Sequence, residues 1–370
     1  MAELNTLAAQ VLVAAFLLSA LFGAIAQRTH FCTMGAVSDA LNMGDYTRLR
    51  QWALAAGVGI LGFWGLVAAG QIDPLRTLHS VPRWLWLSGL LGGLLFGLGM
   101  VLGSGCGSKT LVRIGGGSLK SLVVAIVLGI ASYATLRGIT AVLRTSTVDR
   151  VTVEFPQVAL LPLGVASLGG VSLPVAGLIA ALVVGGGLVA WALAGGRDFR
   201  TFDNLLAGFG LGGVVVAMWW VSGHMGFVPE HPETLEAVFL RTNSGRAESL
   251  SFVAPIAYAI DWVILFSDRG KVLTIGILSV AGVIAGSAAM ALATGRFRWE
   301  GFAGTSDLAH HLVGAVLMGV GGVTALGCTI GQGLTGLSTL SATSFTAVAG
   351  IIAGAVLGNR YQIWRLEREA

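Results

Sequence analysis

Polarity along this chain comes in long apolar blocks parted by short polar joints. Nine blocks stand out, at about 7–26, 52–70, 84–102, 119–143, 171–194, 205–221, 272–293, 308–326 and 345–357. Most approach the roughly 20 residues that carry a helix across about 30 Å of hydrocarbon. Within a block the apolar residues are continuous rather than alternating, which excludes the period-two strands of a membrane barrel and leaves helices. A shorter block at 252–266 is interrupted by Pro255 and Asp261 and reads as a partial or re-entrant segment. Asp73-Pro74 marks a turn, the connector 144–170 reads as an extended loop, and Trp84 and Trp86 place the start of the third block at a membrane interface. The expected fold is an all-α integral membrane protein of about nine transmembrane helices.

The joint after the third block, Gly103 to Ser118, reads Gly-Ser-Gly-Cys-Gly-Ser-Lys-Thr-Leu-Val-Arg-Ile-Gly-Gly-Gly-Ser. Gly97, Gly99, Gly105 and Cys106 recur at one constant offset as Gly319, Gly321, Gly327 and Cys328, where the chain continues Thr-Ile-Gly-Gln-Gly-Leu-Thr-Gly. This is the mark of a duplication. Residues 1–170 form a first repeat of four spans, 171–200 a linker span, and 201–370 a second repeat of four spans plus the partial segment. An odd number of crossings ahead of the second repeat turns it upside down. Such an inverted-repeat bundle puts its substrate site between the repeats near mid-membrane, on short re-entrant glycine-rich segments that here bear cysteines. The Ser222 to Gly226 stretch is the expected counterpart of the region around Cys32, without its cysteine. Arg28, Arg48, Arg197, Arg200, Arg296 and Arg360 fall on the C-terminal side of the membrane, which orients the N-terminus outside and the C-terminus in the cytoplasm.

Composition sharpens this picture. The chain is 55% hydrophobic and only 11% charged, against about 25% in a soluble domain. Its 55 glycines against 8 prolines point to close helix packing and to backbone that bends near a ligand. A net charge of +4, spread over segment ends, does not suggest nucleic acid. Three cysteines without a CxxC pair form no disulfide framework. They also lack the partners of a structural zinc site, no CxxCH holds haem, and the Gly-Ser-Lys-Thr run lacks the first glycine of a phosphate-binding loop. No metal or cofactor is expected.

A cysteine in a membrane helix is most often a small packing residue. Cys32, Cys106 and Cys328 differ in lying in glycine-, serine- and threonine-bearing turns outside the smooth apolar blocks. Irregular backbone at membrane depth is tolerated where it is buried or lines a cavity. The guest that suits these turns is an anion, met by backbone N–H groups and helix N-termini, with Lys109 at the mouth. A thiol in an apolar site beside an anion is held neutral and offers a weak S–H donor. Weak donors in series favour passage and soft sulfur over hard oxygen. Thr329 and Gln332 either line that path or bind helices together; Lys109 is either an anion guide or a snorkelling residue. His30 reads as interfacial, His310 and His311 as a wet helix start behind Ser306 and Asp307, and Asp261 as part of a bend.

Phe31-Cys-Thr-Met-Gly-Ala with Asp39 behind it, Gly103-Ser-Gly-Cys-Gly-Ser-Lys, and Gly327-Cys-Thr-Ile-Gly-Gln-Gly together resemble the YeeE/YedE family of sulfur-compound transporters. The resemblance covers most of the chain and includes all three cysteines. It implies a multi-pass protein of the bacterial inner membrane that imports thiosulfate, passed along Cys32, Cys106 and Cys328 by S–H hydrogen bonds while the thiols stay unmodified. It also implies a small cytoplasmic sulfur-carrier protein as partner. Two other readings stay open: import of a selenium compound or another small sulfur species, and a membrane sulfurtransferase that forms a cysteine persulfide.

Overall fold

Helix α1 (Ala2–Thr29) crosses the molecule and stops at His30, whose left-handed backbone (φ 55°) turns the chain into the short α2 (Thr33–Asn42). The return leg is α3 (Thr47–Ala68), followed by α4 (Trp86–Leu102), the short α5 (Gly107–Gly115) and α6 (Leu119–Arg137). Helices α7 (Ile139–Ser146) and α8 (Leu161–Gly169) lie in the connector before α9 (Leu173–Leu193). The later part consists of α10 (Phe202–Met225), α11 (Val253–Ile264), α12 (Ile275–Ala293), α13 (Thr305–Thr324) and α14 (Ala342–Glu369), with a π-helical turn, Gly331–Gly336, between the last two. This computed structural model describes residues 2–155 and 158–369.

The protein is an all-α membrane protein. Among the described residues eight helical stretches are long and apolar enough to cross a bilayer. Helix α13 falls short because it opens with Asp307, His310 and His311, yet it packs along both α4 and α6. Among the described residues, paired strands are limited to two-residue ladders, Arg83–Trp84 with Val153–Glu154 and Phe227–Val228 with Val238–Phe239.

Several boundaries differ from the sequence reading, each for a local reason. The fourth span ends at Arg137 because Gly138 adopts an extended conformation (φ −103°, ψ −153°) that breaks the helix before α7. The connector read as extended carries α8, started by Pro162 in its first turn and closed by the left-handed Gly170; Pro156 and Gln157 lie outside the described residues. Ser222 to Met225 is no separate turn but the π-helical end of α10. Phe252 stands at the N-terminus of α11, as Cys32 stands at that of α2. Asp261 ends that short helix in an ion pair with Lys271 at 2.6 Å.

Glycine sets how closely the long helices approach. A Cβ on Gly92 would come 2.7 Å from the Gly321 carbonyl oxygen, and one on Gly99 equally close to that of Gly314. As the residue number rises along α4 it falls along α13, so the two run antiparallel with backbones in contact. By the same measure Gly282 of α12 sits against Phe16 of α1, and Gly97 of α4 against Ala355 of α14, each pair running parallel. In a bilayer, where lipid is as apolar as leucine, this backbone-level fit drives helix association.

Candidate functional site

Helices α4 and α13 end in the same turn. Gly105 N–H donates to the Met100 carbonyl and Ser104 N–H to that of Val101; Gly327 N–H donates to Gly322 and Leu326 N–H to Val323. This is the helix-terminating pair of bonds made around a left-handed residue. Ser104 (φ 56°) and Leu326 (φ 60°) supply that conformation at equivalent places. Neither is glycine, so both positions carry strain that the surrounding packing must hold. Gly105 has a different reason to be glycine: a Cβ there would press on the Lys109 stem at 3.2 Å.

Each turn delivers a cysteine to the N-terminus of the next helical segment. Cys32 is the N-cap of α2 and its Sγ accepts from Gly35 N–H at 3.4 Å; Cys328 Sγ accepts from Gly331 N–H at the same distance. Cys106 is the N-cap of α5 and lies 3.2 Å from Ser108 Oγ. Cys106 and Cys328 are buried, Cys32 partly so, and none is disulfide-bonded. Three thiols therefore stand where backbone N–H groups and the positive helix end favour negative charge. The amides of Ile330 and Phe252 also face Cys328, so the start of α11 converges on it.

Their order in space follows their order in sequence. Cys106 lies within electrostatic range of both Cys32 and Cys328, which makes it the middle thiol. Gly107, beside it, touches Phe252 at the head of α11. Lys109 acts on Cys32 and Cys106, with Arg113 and Arg48 close by. At the position equivalent to Lys109 the second turn has Gly331, so the cations gather at one end of the thiol series. Beyond them an open basin is lined by Gln27, Arg113, Arg296 and Arg298.

At the other end a cavity of about 310 Å³ reaches the second turn through Val323, Leu326 and Gly327. Its walls mix apolar groups (Leu78, Leu136, Ile275) with Asn243, Ser251, Tyr258 and Glu248. Glu248 is the residue that sequence reading missed, since it sits in a polar loop with no motif around it. Burial pushes its carboxyl above the ordinary carboxylate range, against the pull of hydrogen bonds from Asn243 and Ser244.

The two remaining expected residues behave differently from each other. Gln332 is fully buried and held by the protein: Nε2 donates to the Ala325 carbonyl at 2.6 Å and Oε1 accepts from Ser344 at 2.6 Å. It fixes the end of α13 to the start of α14. Thr329 Oγ1 is buried with no hydrogen-bond partner, as is Thr33 Oγ1 beside Cys32, and both residues border a small cavity of about 60 Å³ with Trp52, Val37 and Ile351. Among the described residues no group of three His, Cys, Asp or Glu side chains is placed to hold a metal ion.

The family model described as Sulphur transport matches residues 28–357. Two relatives carry the name Thiosulfate transporter TsuA. The one from Spirochaeta thermophila is 28% identical over 353 residues, covering 94% of this chain and 97% of its own. The one from Escherichia coli is 25% identical over 333 residues, covering 88% and 87%.

Proposed function

The chain belongs to the sulphur-transport family, YeeE/YedE, and from that premise we propose that it imports thiosulfate across the bacterial inner membrane. The observation that carries this reading is the series Cys328, Cys106, Cys32, each thiol at a helix N-terminus and Cys106 within range of both others. Thiosulfate carries a terminal sulfur and three oxygens. The N–H groups of the turns suit its oxygens, and the S–H groups suit its soft sulfur.

The route begins in the cavity of about 310 Å³ next to Gly327, passes the Cys328 turn, reaches Cys106 and then Cys32, and leaves past Lys109 into the basic basin. Each thiol donates weakly to the anion and then releases it, so no single site becomes a trap. In this reading the thiols stay protonated and form no bond to sulfur. The two halves are inverted repeats, with 171–200 as linker. The end that holds Arg28, Arg48, Arg197 and Arg296 faces the cytoplasm, where a small sulfur-carrier protein takes the product at the basin. Lys109 draws the anion to the exit, Thr329 offers its unpartnered hydroxyl beside Cys328, and Gln332 positions that turn.

The test is growth, on thiosulfate as sole sulfur source, of a bacterial strain lacking its own sulfate and thiosulfate importers. Growth with this chain, and slowed or abolished growth with Cys106→Ser or Cys328→Ser at equal membrane expression, supports the reading. Growth that both variants sustain at the wild-type rate removes the thiols from the route.

A further inference from the structure

The entrance cavity of the proposed route contains an acid, which is the wrong charge for an anion site. Glu248 is 8% exposed and lines the cavity that ends at Leu326 and Gly327, immediately before Cys328. Its Oε1 accepts from Asn243 N–H at 3.1 Å and its Oε2 from Ser244 Oγ at 2.9 Å. Its own backbone is pinned to α10, where Ser222 Oγ donates to the Glu248 carbonyl and accepts from its N–H at 3.1 Å. The carboxyl is thus built in, not swung in by chance.

Among the described residues no Lys, Arg or His forms an ion pair with Glu248. Arg246 on its own loop is turned to the Ser80 and Thr77 carbonyls. From α11 the facing titratable group is Tyr258, and Arg137 at the end of α6 acts on Tyr258. His79, on the stretch that supplies Leu78, is held uncharged by burial, with a pKa of about 4. The parts of α10, α12 and α13 that border the carboxyl or its cavity present Ser222, Ser279, Ile275, Val323 and two glycines, with no charge.

We propose that Glu248 is a proton-binding site of the transport cycle: an anion occupies the entrance cavity together with a proton on the Glu248 carboxyl. This rests on the import reading above. A carboxylate and a divalent anion in one largely apolar cavity repel each other strongly, so the two bind exclusively unless the acid is neutral. Neutral, the same group gains an O–H donor that the carboxylate lacks. Anion binding therefore favours protonation, and by linkage protonation favours anion binding by the same factor. The proton comes from water on the outer side, sits on a carboxylate oxygen while the anion is bound, and is given up to water on the cytoplasmic side as the anion leaves; no covalent change occurs in the anion. Burial of the carboxyl raises its proton affinity and so favours the loaded form of the site. Import against an inside-negative potential gains from each positive charge that enters with the anion.

The experiment is radiolabelled thiosulfate uptake into proteoliposomes between pH 5 and 9, a range over which thiosulfate itself keeps its charge, with a trapped pH dye and with Glu248→Gln alongside. The wild type is expected to lose uptake about tenfold per pH unit above the carboxyl's titration point and to acidify the lumen as the anion enters. In Glu248→Gln that slope is expected to vanish and the acidification to stop. Infrared difference spectra of the wild type provide a second measurement that does not depend on the variant's assembly: adding thiosulfate should increase the protonated-carboxyl band. Cysteine-dependent uptake with a flat pH profile in the wild type, a slope retained by Glu248→Gln, or no change in that band overturns this inference alone. Absence of cysteine-dependent uptake at every pH overturns the import reading with it.

Discussion

Replacing Cys106 by serine changes one atom in the middle of the proposed route. The thiol is 1% exposed and lies 3.2 Å from Ser108 Oγ, so the smaller hydroxyl fits without a new clash and the fold should persist. The consequence is chemical. A hydroxyl bonds its neighbour better than a thiol, and a net hydrogen bond is worth about 0.5–1.5 kcal/mol. Serine at 106 would be committed to Ser108 and would have to release that bond before donating to a passing anion. Adding the poorer match of oxygen to soft sulfur, the barrier rises by about 1–2 kcal/mol, a slowing of about 5- to 30-fold. The assay is initial-rate thiosulfate uptake in proteoliposomes at matched protein density. Pairing Cys106→Ser with Ser108→Ala frees the hydroxyl and should recover part of the loss, a coupling readable in a double-mutant cycle. A rate for Cys106→Ser within twofold of wild type, with no coupling to Ser108, would refute the argument.

Thr329→Val keeps the volume and removes a hydroxyl that has no protein partner, so the melting temperature in detergent should hold while uptake falls; a fall in both would mark Thr329 as structural. Gln332→Ala removes bonds to Ala325 and Ser344 and leaves buried polar groups unpaired, costing on the order of 1–3 kcal/mol, visible as a lower melting temperature. Lys109→Met withdraws the cation near Cys32 and Cys106 and should slow uptake about tenfold, roughly 1.4 kcal/mol, with the loss shrinking at high salt. The Glu248 carboxyl is raised in the folded protein, so the native state binds more protons than the unfolded chain and stability falls as pH rises through the folded value. Melting curves across that window should show the fall in the wild type and not in Glu248→Gln.

The spans and the two cysteine turns were legible in the sequence because both leave periodic signatures. Apolar blocks have a length that only a bilayer requires, and the glycines recur because they do the same work twice: Gly99 and Gly321 bring α4 and α13 into backbone contact, while Gly97 lies against α14 and Gly319 against α6. Other features are products of tertiary structure alone. That Cys106 stands between Cys328 and Cys32 depends on how α11 and α5 meet at Phe252 and Gly107. Glu248 looks like any loop acid until Ser222 of α10 and the start of α12 close around it. The division of labour between Gln332 and Thr329, two polar residues of one turn, became visible only once their hydrogen bonds could be counted. The helix break at Gly138 was hidden because glycine is common inside these helices, and only its extended dihedrals distinguish it from the packing glycines.

The claim at the centre is that three unmodified thiols carry thiosulfate across the membrane. Its most direct measurement is uptake of thiosulfate labelled in its terminal sulfur by purified protein in liposomes, wild type beside Cys32→Ser, Cys106→Ser and Cys328→Ser, with the intact mass of the protein read after turnover. The account predicts saturable uptake in the wild type, a marked loss in every variant, and a protein mass unchanged by turnover. Undiminished uptake in the variants, or a label left on a cysteine as a persulfide, would contradict it.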